Sequence, residues 1–176
     1  METKIIDNFL LDKEHLEHFF SFYILKGNIK LSFNNTATPE GEVHSFTSSK
    51  DESRFDEVYF ISKLNNKIVA MFPNYKPTKW HLNVYPSGFD GHIHVDNSTE
   101  NYNQDYMPTF LYCATPNWQK EWGGEFIVYD ENYEAKDVVS FKEDRLIIFN
   151  SFLPHRAVGP TRLSNLLRTT VAFQVR

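Results

Sequence analysis

The spacing of hydrophobic residues changes along this chain and divides it into a helical part and a β-rich part. Apolar residues three and four positions apart predict one helix from its capping residue, Asp12, to about residue 26, and a second helix over residues 55–71. Residues 29–33 alternate as a strand does. The stretch 34–53 is rich in Ser, Thr and charged residues, which indicates a long loop.

Beyond residue 75 the apolar residues alternate with polar ones in short runs that turn residues separate. Such alternation is typical of strands with one buried face. Two helices followed by about eight short strands predict a mainly β fold, with N-terminal helices backing a β-sandwich or barrel. We predict one domain over residues 1–176, in which 1–73 form helical support and a loop and 75–176 form the β core. The predicted strands are 79–85, 91–96, 109–115, 125–129, 137–141, 145–149, 155–158 and 166–175.

Composition excludes several classes of protein. The chain has 18 Lys and Arg against 23 Asp and Glu, a net charge of -5, and no basic run, so we expect no nucleic-acid partner. It has no run of about 18 apolar residues and no secretory signal in residues 1–11, so we expect no membrane partner and a cytoplasmic location. Cys113 is the single cysteine, which excludes an internal disulfide and a Cys-based zinc site and fits a reducing compartment.

Candidate chemistry begins in residues 91–97, Gly-His-Ile-His-Val-Asp-Asn. Side chains alternate on an extended backbone, so His94 and Asp96 point to one side and can bind one metal ion together. His92 shares that side and is the rival ligand. His155, after a later apolar strand, is the candidate third ligand. Two imidazoles and one carboxylate that leave coordination positions open suit non-haem Fe(II) and its reaction with O2.

A second motif lies in the predicted terminal strand, where Arg168 and Thr170 share a face. A guanidinium offers a planar fork to a carboxylate, and a neighbouring hydroxyl can add a hydrogen bond. The pair therefore predicts a site for an acidic co-substrate. Arg162 and Arg176 are nearby competitors for this role, and a surface salt bridge is the alternative role for Arg168.

Together these motifs resemble those of the Fe(II)- and 2-oxoglutarate-dependent oxygenases, in particular the prolyl 4-hydroxylase-like branch. In that branch a Tyr-Pro strand and a Gly-rich turn precede the His-x-Asp pair, as in residues 83–91 here. A Trp and a Gly-Gly-Glu precede a later strand, as at Trp118 and residues 122–126. The resemblance covers about residues 75–176. The motifs, in order, are His94-x-Asp96, His155 and Arg168-x-Thr170.

The resemblance implies a double-stranded β-helix, or jelly roll, in which His94, Asp96 and His155 hold Fe(II) and are the catalytic residues. The implied reaction consumes O2 and 2-oxoglutarate, releases succinate and CO2, and hydroxylates an unactivated C–H bond. Ascorbate would serve as a supporting reductant.

The resemblance also implies how 2-oxoglutarate is bound. Its 2-oxo acid end would chelate the metal, and its far carboxylate would pair with Arg168, helped by Thr170 and by Tyr85. In related hydroxylases a Tyr on the strand before the Trp also contacts this acid. Either Tyr112 or Cys113 falls at that place in this chain.

We predict that the substrate is a prolyl or other amino-acid side chain in a protein, a peptide or a free amino acid. Asn83, His92 and Arg156 are the candidate residues for contacting it. One alternative is a hydroxylase of another small metabolite. Another is a cupin-like metal-binding protein without oxygenase activity, with His92, His94, Glu100 and His155 as ligands. The pair His15 and His18 is interpreted as the polar face of the first helix, and the oligomeric state stays open.

Overall fold

A computed structural model of the chain describes residues 2–28, 32–38, 41–51, 58–97 and 106–175. These residues form a mainly β fold with helices in the N-terminal part, as predicted. Helix α1 (Lys13–Phe19) continues as one π-helical segment (Phe20–Leu25), and α2 spans Tyr59–Met71. The strands are β1 (Lys4–Ile6), β2 (Ser32–Thr38), β3 (Gly41–Asp51), β4 (Pro77–Tyr85), β5 (Pro108–Cys113), β6 (Phe126–Tyr129), β7 (Ala135–Val139), β8 (Leu146–Asn150), β9 (His155–Ala157) and β10 (Arg168–Val175).

The strands form two antiparallel sheets. The larger sheet has seven strands in the order β1-β8-β5-β10-β4-β3-β2, and the smaller has three in the order β7-β6-β9. Strand β10 lies in the middle of the larger sheet, where Thr170 pairs with Asn83 of β4 on one side and Cys113 of β5 on the other. Residues far apart in sequence therefore meet on one face at the centre of this sheet.

The helices cover one face of the larger sheet. Asp12 caps α1 by accepting a hydrogen bond from the backbone N–H of His15, and its carboxylate also forms an ion pair with Lys63 of α2. Phe19 of α1 stacks on Phe60 of α2, with ring centroids 4.6 Å apart. Because the apolar stripes of both helices face the strands, this side of the sheet is a closed hydrophobic core.

A second hydrophobic core fills the space between the two sheets. Residues on alternate positions of β5, β8 and β10 face it from the larger sheet, and residues of β6 and β7 face it from the smaller one. Two facing sheets with this core are consistent with the jelly roll that the resemblance implies. The buried residues of this core are Leu111, Cys113, Phe126, Val128, Val139, Phe141, Ile147, Phe149 and Ala172.

Two predictions of local structure are wrong. The predicted loop 34–53 contains β2 and β3, which pair as a hairpin and extend the larger sheet beyond β4. These outer strands are polar in sequence, so they lack the apolar alternation by which strands are recognised, although Thr favours a strand. The predicted strand 91–96 is reduced to a single bridge at His94. The sequence pattern also missed β1.

Some predicted elements fall outside the described residues, namely the start of the predicted strand, 29–31, and the start of the second predicted helix, 55–57. Among the helices that the structure does describe, none combines the length and the apolar character needed to cross a membrane.

Candidate metal centre

His94, Asp96 and His155 converge at one point in the structure. One ligand atom from each of them lies within 4.8 Å of the others. The Oδ1 atom of Asp96 is 3.9 Å from Nε2 of His94 and 3.7 Å from Nε2 of His155. Two imidazole nitrogens and one carboxylate oxygen thus face a common position. Elsewhere in the described part of the chain there is no comparable group of three ligands.

The backbone brings the three ligands together although 59 positions in sequence separate the last two. His94 and His155 form an isolated antiparallel bridge, with backbone N–H···O distances of 3.0 and 2.9 Å. The N–H of Asp96 donates to the carbonyl of Ser151 at 3.0 Å, just before β9. Side chains directly opposite each other in an antiparallel pair lie on the same face, so the bridge places the two imidazoles side by side.

Hydrogen bonds define which nitrogen of each histidine is free for a metal. Nδ1 of His94 is 3.0 Å from the backbone carbonyl of His92, and Nδ1 of His155 is 2.9 Å from that of Leu153. A carbonyl oxygen can only accept, so each Nδ1 carries the proton. In the neutral imidazole each Nε2 then presents its lone pair toward the other candidate ligands, which is the tautomer that binds a metal through Nε2.

Burial differs sharply between the two histidines. The side chain of His155 is 4% exposed and that of His94 is 41% exposed, so the site opens to solvent on the side of His94. Desolvation lowers the pKa of His155 to about 4, against the opposing attraction of the Asp96 carboxylate. The imidazole of His155 is therefore neutral at pH 7, as coordination of a metal requires.

The carboxylate of Asp96 is held from its far side. Its Oδ2 atom accepts a hydrogen bond of 2.6 Å from the hydroxyl of Thr109, which is buried on β5. Asp96 therefore presents its other oxygen, Oδ1, to the imidazoles. Thr109 was not predicted from the sequence, although a signal was present: among residues 109, 111 and 113, which share one strand face, it is the one hydroxyl-bearing residue.

The three ligands lie in a narrow cavity between the sheets. Of the residues predicted to bind co-substrate or substrate, Tyr85, Asn83 and Thr170 line this cavity. Apolar side chains form most of the remaining wall. These apolar lining residues are Leu111, Phe126, Phe149, Ala157 and Ala172.

Arg168 lies on the same face of β10 as Thr170, directly opposite Tyr85 of β4. Its side chain is fully buried and its Nε donates to the carbonyl of Gly124 at 2.8 Å, but neither Nη1 nor Nη2 has a hydrogen-bond partner. Its guanidinium carbon lies 5.0 Å from the ring centroid of Phe141. Burial lowers the pKa of Arg168, opposed first by the neighbouring Cys113. Two donor nitrogens without partners on a buried guanidinium destabilise the fold unless an anion accepts hydrogen bonds from them.

The Gly-Gly turn makes room for this guanidinium. Gly124 has φ +80°, and a Cβ there would meet the ring of Trp118 at 3.0 Å and the Cδ of Arg168 at 3.3 Å. Trp118 packs on Phe141, with centroids 4.5 Å apart. The Trp and Gly-Gly motifs of the sequence therefore support Arg168 through close packing and one carbonyl.

The structure corrects the prediction for Tyr112. Tyr112 pairs with Val171, so it lies on the helix-covered face of β5, and its hydroxyl donates to Asp144 at 2.9 Å. Its neighbour Cys113, which pairs with Thr170, faces the core between the sheets. Of the two residues that the sequence left open, only Cys113 therefore faces the side of the sheet on which Thr170 lies, because adjacent residues of a strand point to opposite faces.

Arg156 and His92 do not line the cavity. Arg156 follows His155 on β9 and pairs with Ile127, so its side chain begins on the opposite face of the strand, which argues against the predicted contact with substrate. His92 packs its ring against His94, with centroids 5.0 Å apart, and supplies its backbone carbonyl to that residue. A direct contact of His92 with substrate stays a prediction.

Of the other residues that the sequence offered as alternatives, the structure describes Arg162 and His15. Arg162 is exposed, whereas Arg168 is buried with two unpaired nitrogens, so the structure favours Arg168 as the anion anchor. Nδ1 of His15 is 2.8 Å from the carboxylate of Asp12, which fits a capping role in the first helix. Glu100, the further ligand of the cupin alternative, and Arg176 lie outside the described residues.

Several solved structures with the same fold are prolyl hydroxylases. The chain superposes on a prolyl hydroxylase from Trichoplax adhaerens, in complex with a hypoxia inducible factor oxygen degradation domain peptide, with a TM-score of 0.69 and 18% identity over 98% of this chain and 82% of that one. For a Pseudomonas putida prolyl-4-hydroxylase the TM-score is 0.65, with 17% identity and coverage of 99% and 92%. For a viral collagen prolyl hydroxylase from Paramecium Bursaria Chlorella virus-1, with 2OG, it is 0.67, with 15% identity and coverage of 100% and 96%.

These likenesses establish the fold, and a family model establishes the membership. Residues 80–173, more than half of the chain, match the model of the 2OG-Fe(II) oxygenase superfamily. The chain belongs to this superfamily, which implies an oxidoreductase that uses Fe(II) and 2-oxoglutarate. No curated protein matches the sequence. The matched region contains all three candidate metal ligands, Arg168 and Thr170.

Proposed function

We propose that this protein is an Fe(II)- and 2-oxoglutarate-dependent hydroxylase, built on a double-stranded β-helix, that acts on a prolyl or other amino-acid side chain. The observation that carries this proposal is the pairing of two features in one fold. One is a set of three ligands, His94, Asp96 and His155, whose free donor atoms face one point. The other is the buried guanidinium of Arg168 with two unpaired nitrogens.

The donor set fits Fe(II). Two neutral imidazoles and one carboxylate are the ligands of the non-haem iron oxygenases, and they leave positions for a co-substrate and O2. His94, Asp96 and His155 would hold the iron. With 2-oxoglutarate bound, the metal would supply oxidative decarboxylation of that acid and hydroxylation of the target carbon.

Arg168 and several residues of the cavity wall would bind and orient 2-oxoglutarate and would exclude water from it. Arg168 would form a charge-assisted pair with the far carboxylate of 2-oxoglutarate, completing its Nη1 and Nη2 donors, and the hydroxyls of Thr170 and Tyr85 would add hydrogen bonds. Phe126 and Phe149 form part of the apolar wall and would exclude water from the reacting centre.

The substrate class rests on the structural neighbours. One neighbour is a prolyl hydroxylase in complex with a peptide, and another is a collagen prolyl hydroxylase. The exposed side of His94 would admit a side chain from solvent to the metal. We therefore propose a peptide or protein substrate in preference to another small metabolite. A cytoplasmic location is also part of the proposal, and its support is the single cysteine of the sequence.

The test is release of succinate from 2-oxoglutarate by purified protein with added Fe(II) and O2, with and without proline-containing peptides. We expect peptide-stimulated release and a mass gain of one oxygen atom on the peptide. Stimulation by small metabolites alone would replace the peptide substrate with the small-molecule alternative. An absence of release under all conditions would refute the enzyme.

The metal ligands are tested by substitution. His94→Ala and Asp96→Ala should abolish succinate release and lower iron occupancy, because each removes one of three ligands. His18→Ala, which changes an exposed histidine on the helix side, is the matched control and should behave as the unmodified protein. Full activity in either ligand variant would exclude this metal site.

A further inference from the structure

Thr109 is a polar residue in an apolar setting. It lies on β5, pairs with Phe149 on one side and Gln174 on the other, and is 1% exposed. On the same strand face follow Leu111 and Cys113, which belong to the hydrophobic core between the sheets. A buried hydroxyl at such a place is expected to have a specific partner.

The partner of Thr109 is one oxygen of a predicted metal ligand. Its Oγ1 donates to Oδ2 of Asp96 at 2.6 Å, which is within the short range of hydroxyl-to-carboxylate bonds. The other oxygen, Oδ1, is the atom that faces both imidazoles, at 3.7 Å from His155 and 3.9 Å from His94. One oxygen of the Asp96 carboxylate therefore accepts from the hydroxyl of Thr109, and the other faces the two imidazoles.

We propose that Thr109 is a positioning residue that holds Asp96 as a single-oxygen ligand of the metal. By occupying Oδ2, it prevents the carboxylate from turning both oxygens toward the ion. It also orients Oδ1 before the metal binds, which lowers the ordering cost of binding. Partners that orient a metal ligand in this way change metal affinity by about 10- to 100-fold. The inference rests on the proposed function, because that function supplies the metal.

Three substitutions separate the hydroxyl from packing. Thr109→Val replaces the hydroxyl by a methyl group of similar size, and Thr109→Ser retains the hydroxyl. Thr169→Val makes the same change at another buried strand threonine, whose hydroxyl has no hydrogen-bond partner. Thermal unfolding of each variant shows whether it is folded before it is used.

The measurement is the affinity of the metal-free protein for Mn(II) by calorimetry, together with the visible absorption spectrum of the Co(II)-loaded protein. We expect Thr109→Val to weaken Mn(II) binding by about 10- to 100-fold and to change the Co(II) spectrum. Thr109→Ser should restore most of the affinity and the original spectrum, and Thr169→Val should match the unmodified protein. Both measurements are independent of turnover.

The outcomes distinguish this inference from the function on which it rests. If the unmodified protein binds Mn(II) and Thr109→Val binds it equally well, the positioning role is refuted while the metal site stands. If Thr109→Ser loses as much affinity as Thr109→Val, the methyl packing and not the hydroxyl is responsible, and the role is refuted as well. If the unmodified protein binds no metal, the proposed function fails, and the positioning role fails with it.

Discussion

Arg168 offers the sharpest test of the co-substrate site, because its buried guanidinium has opposite effects on stability and on binding. Nη1 and Nη2 have no partner, whereas Nε is bonded to Gly124. Arg168→Met keeps much of the apolar stem and removes the charge. Arg162→Met makes the same change at an exposed arginine six residues earlier and serves as the control.

The effect on binding follows from the loss of the proposed charge pair between Arg168 and 2-oxoglutarate. Removing one partner of such a pair costs about 2–5 kcal/mol. The 2-oxoglutarate concentration for half-maximal succinate release should therefore rise by roughly 30-fold to several-thousand-fold in Arg168→Met. Arg162→Met should leave it unchanged.

The effect on stability has the opposite sign in the absence of 2-oxoglutarate. Arg168→Met removes two unpaired donor groups and leaves one carbonyl, that of Gly124, without its partner. An unpaired buried polar group costs about 1–3 kcal/mol. The variant has one such group where the unmodified protein has two, so its free energy of unfolding should be higher by the cost of one group. Its Tm should rise by about 2–4 °C for each kcal/mol gained.

The two measurements can refute the assignment independently. An unchanged 2-oxoglutarate requirement in Arg168→Met, or an equal increase in Arg162→Met, would move the anchor elsewhere. A lower Tm for ligand-free Arg168→Met would refute the predicted gain in stability, because the lost contacts with Gly124 and Phe141 would then outweigh the two unpaired nitrogens.

Two further predictions concern stability. Gly124→Ala should lower the free energy of unfolding more than Gly88→Ala, because both have φ near +80° but only Gly124 has a neighbour, Trp118, within contact of a Cβ; equal losses in urea titrations would contradict the close packing. Arg145 lowers the pKa of Asp7 from 3.8 to about 2. The stabilisation of the folded state by this ion pair is therefore present above about pH 4 and is lost as the pH falls toward 2. Asp7→Asn should reduce this acid dependence of Tm, and an unchanged dependence would exclude the pair.

Local periodicity was enough to predict most of the elements and two of the three candidate metal ligands. Alternation along an extended backbone places His94 and Asp96 on one side whatever the surrounding fold. The same two-residue period places Arg168 and Thr170 on one face of β10. Helical spacing after Asp12 likewise predicted α1. Each of these relations depends on residues at most a few positions apart, which is the range over which backbone geometry alone determines direction.

Pairing between distant segments decided what the sequence pattern left open or missed. The choice between Tyr112 and Cys113 depends on the register of β5 against β10, because a shift of one residue exchanges the two faces. The hairpin of β2 and β3 depends on main-chain pairing with β4, which cannot be predicted from a polar sequence without apolar alternation.

The supporting contacts of the site also come only from the tertiary structure. Thr109 reaches Asp96 across 13 positions, and the carbonyl of Gly124 reaches Arg168 across 44. Neither contact leaves a periodic signal, since each joins a side chain to a group that another strand or turn brings beside it. The sequence by itself therefore determined which groups could bind iron and a dicarboxylate. The fold decided which atom of each group is free to do so, because each of the others is already engaged in a hydrogen bond.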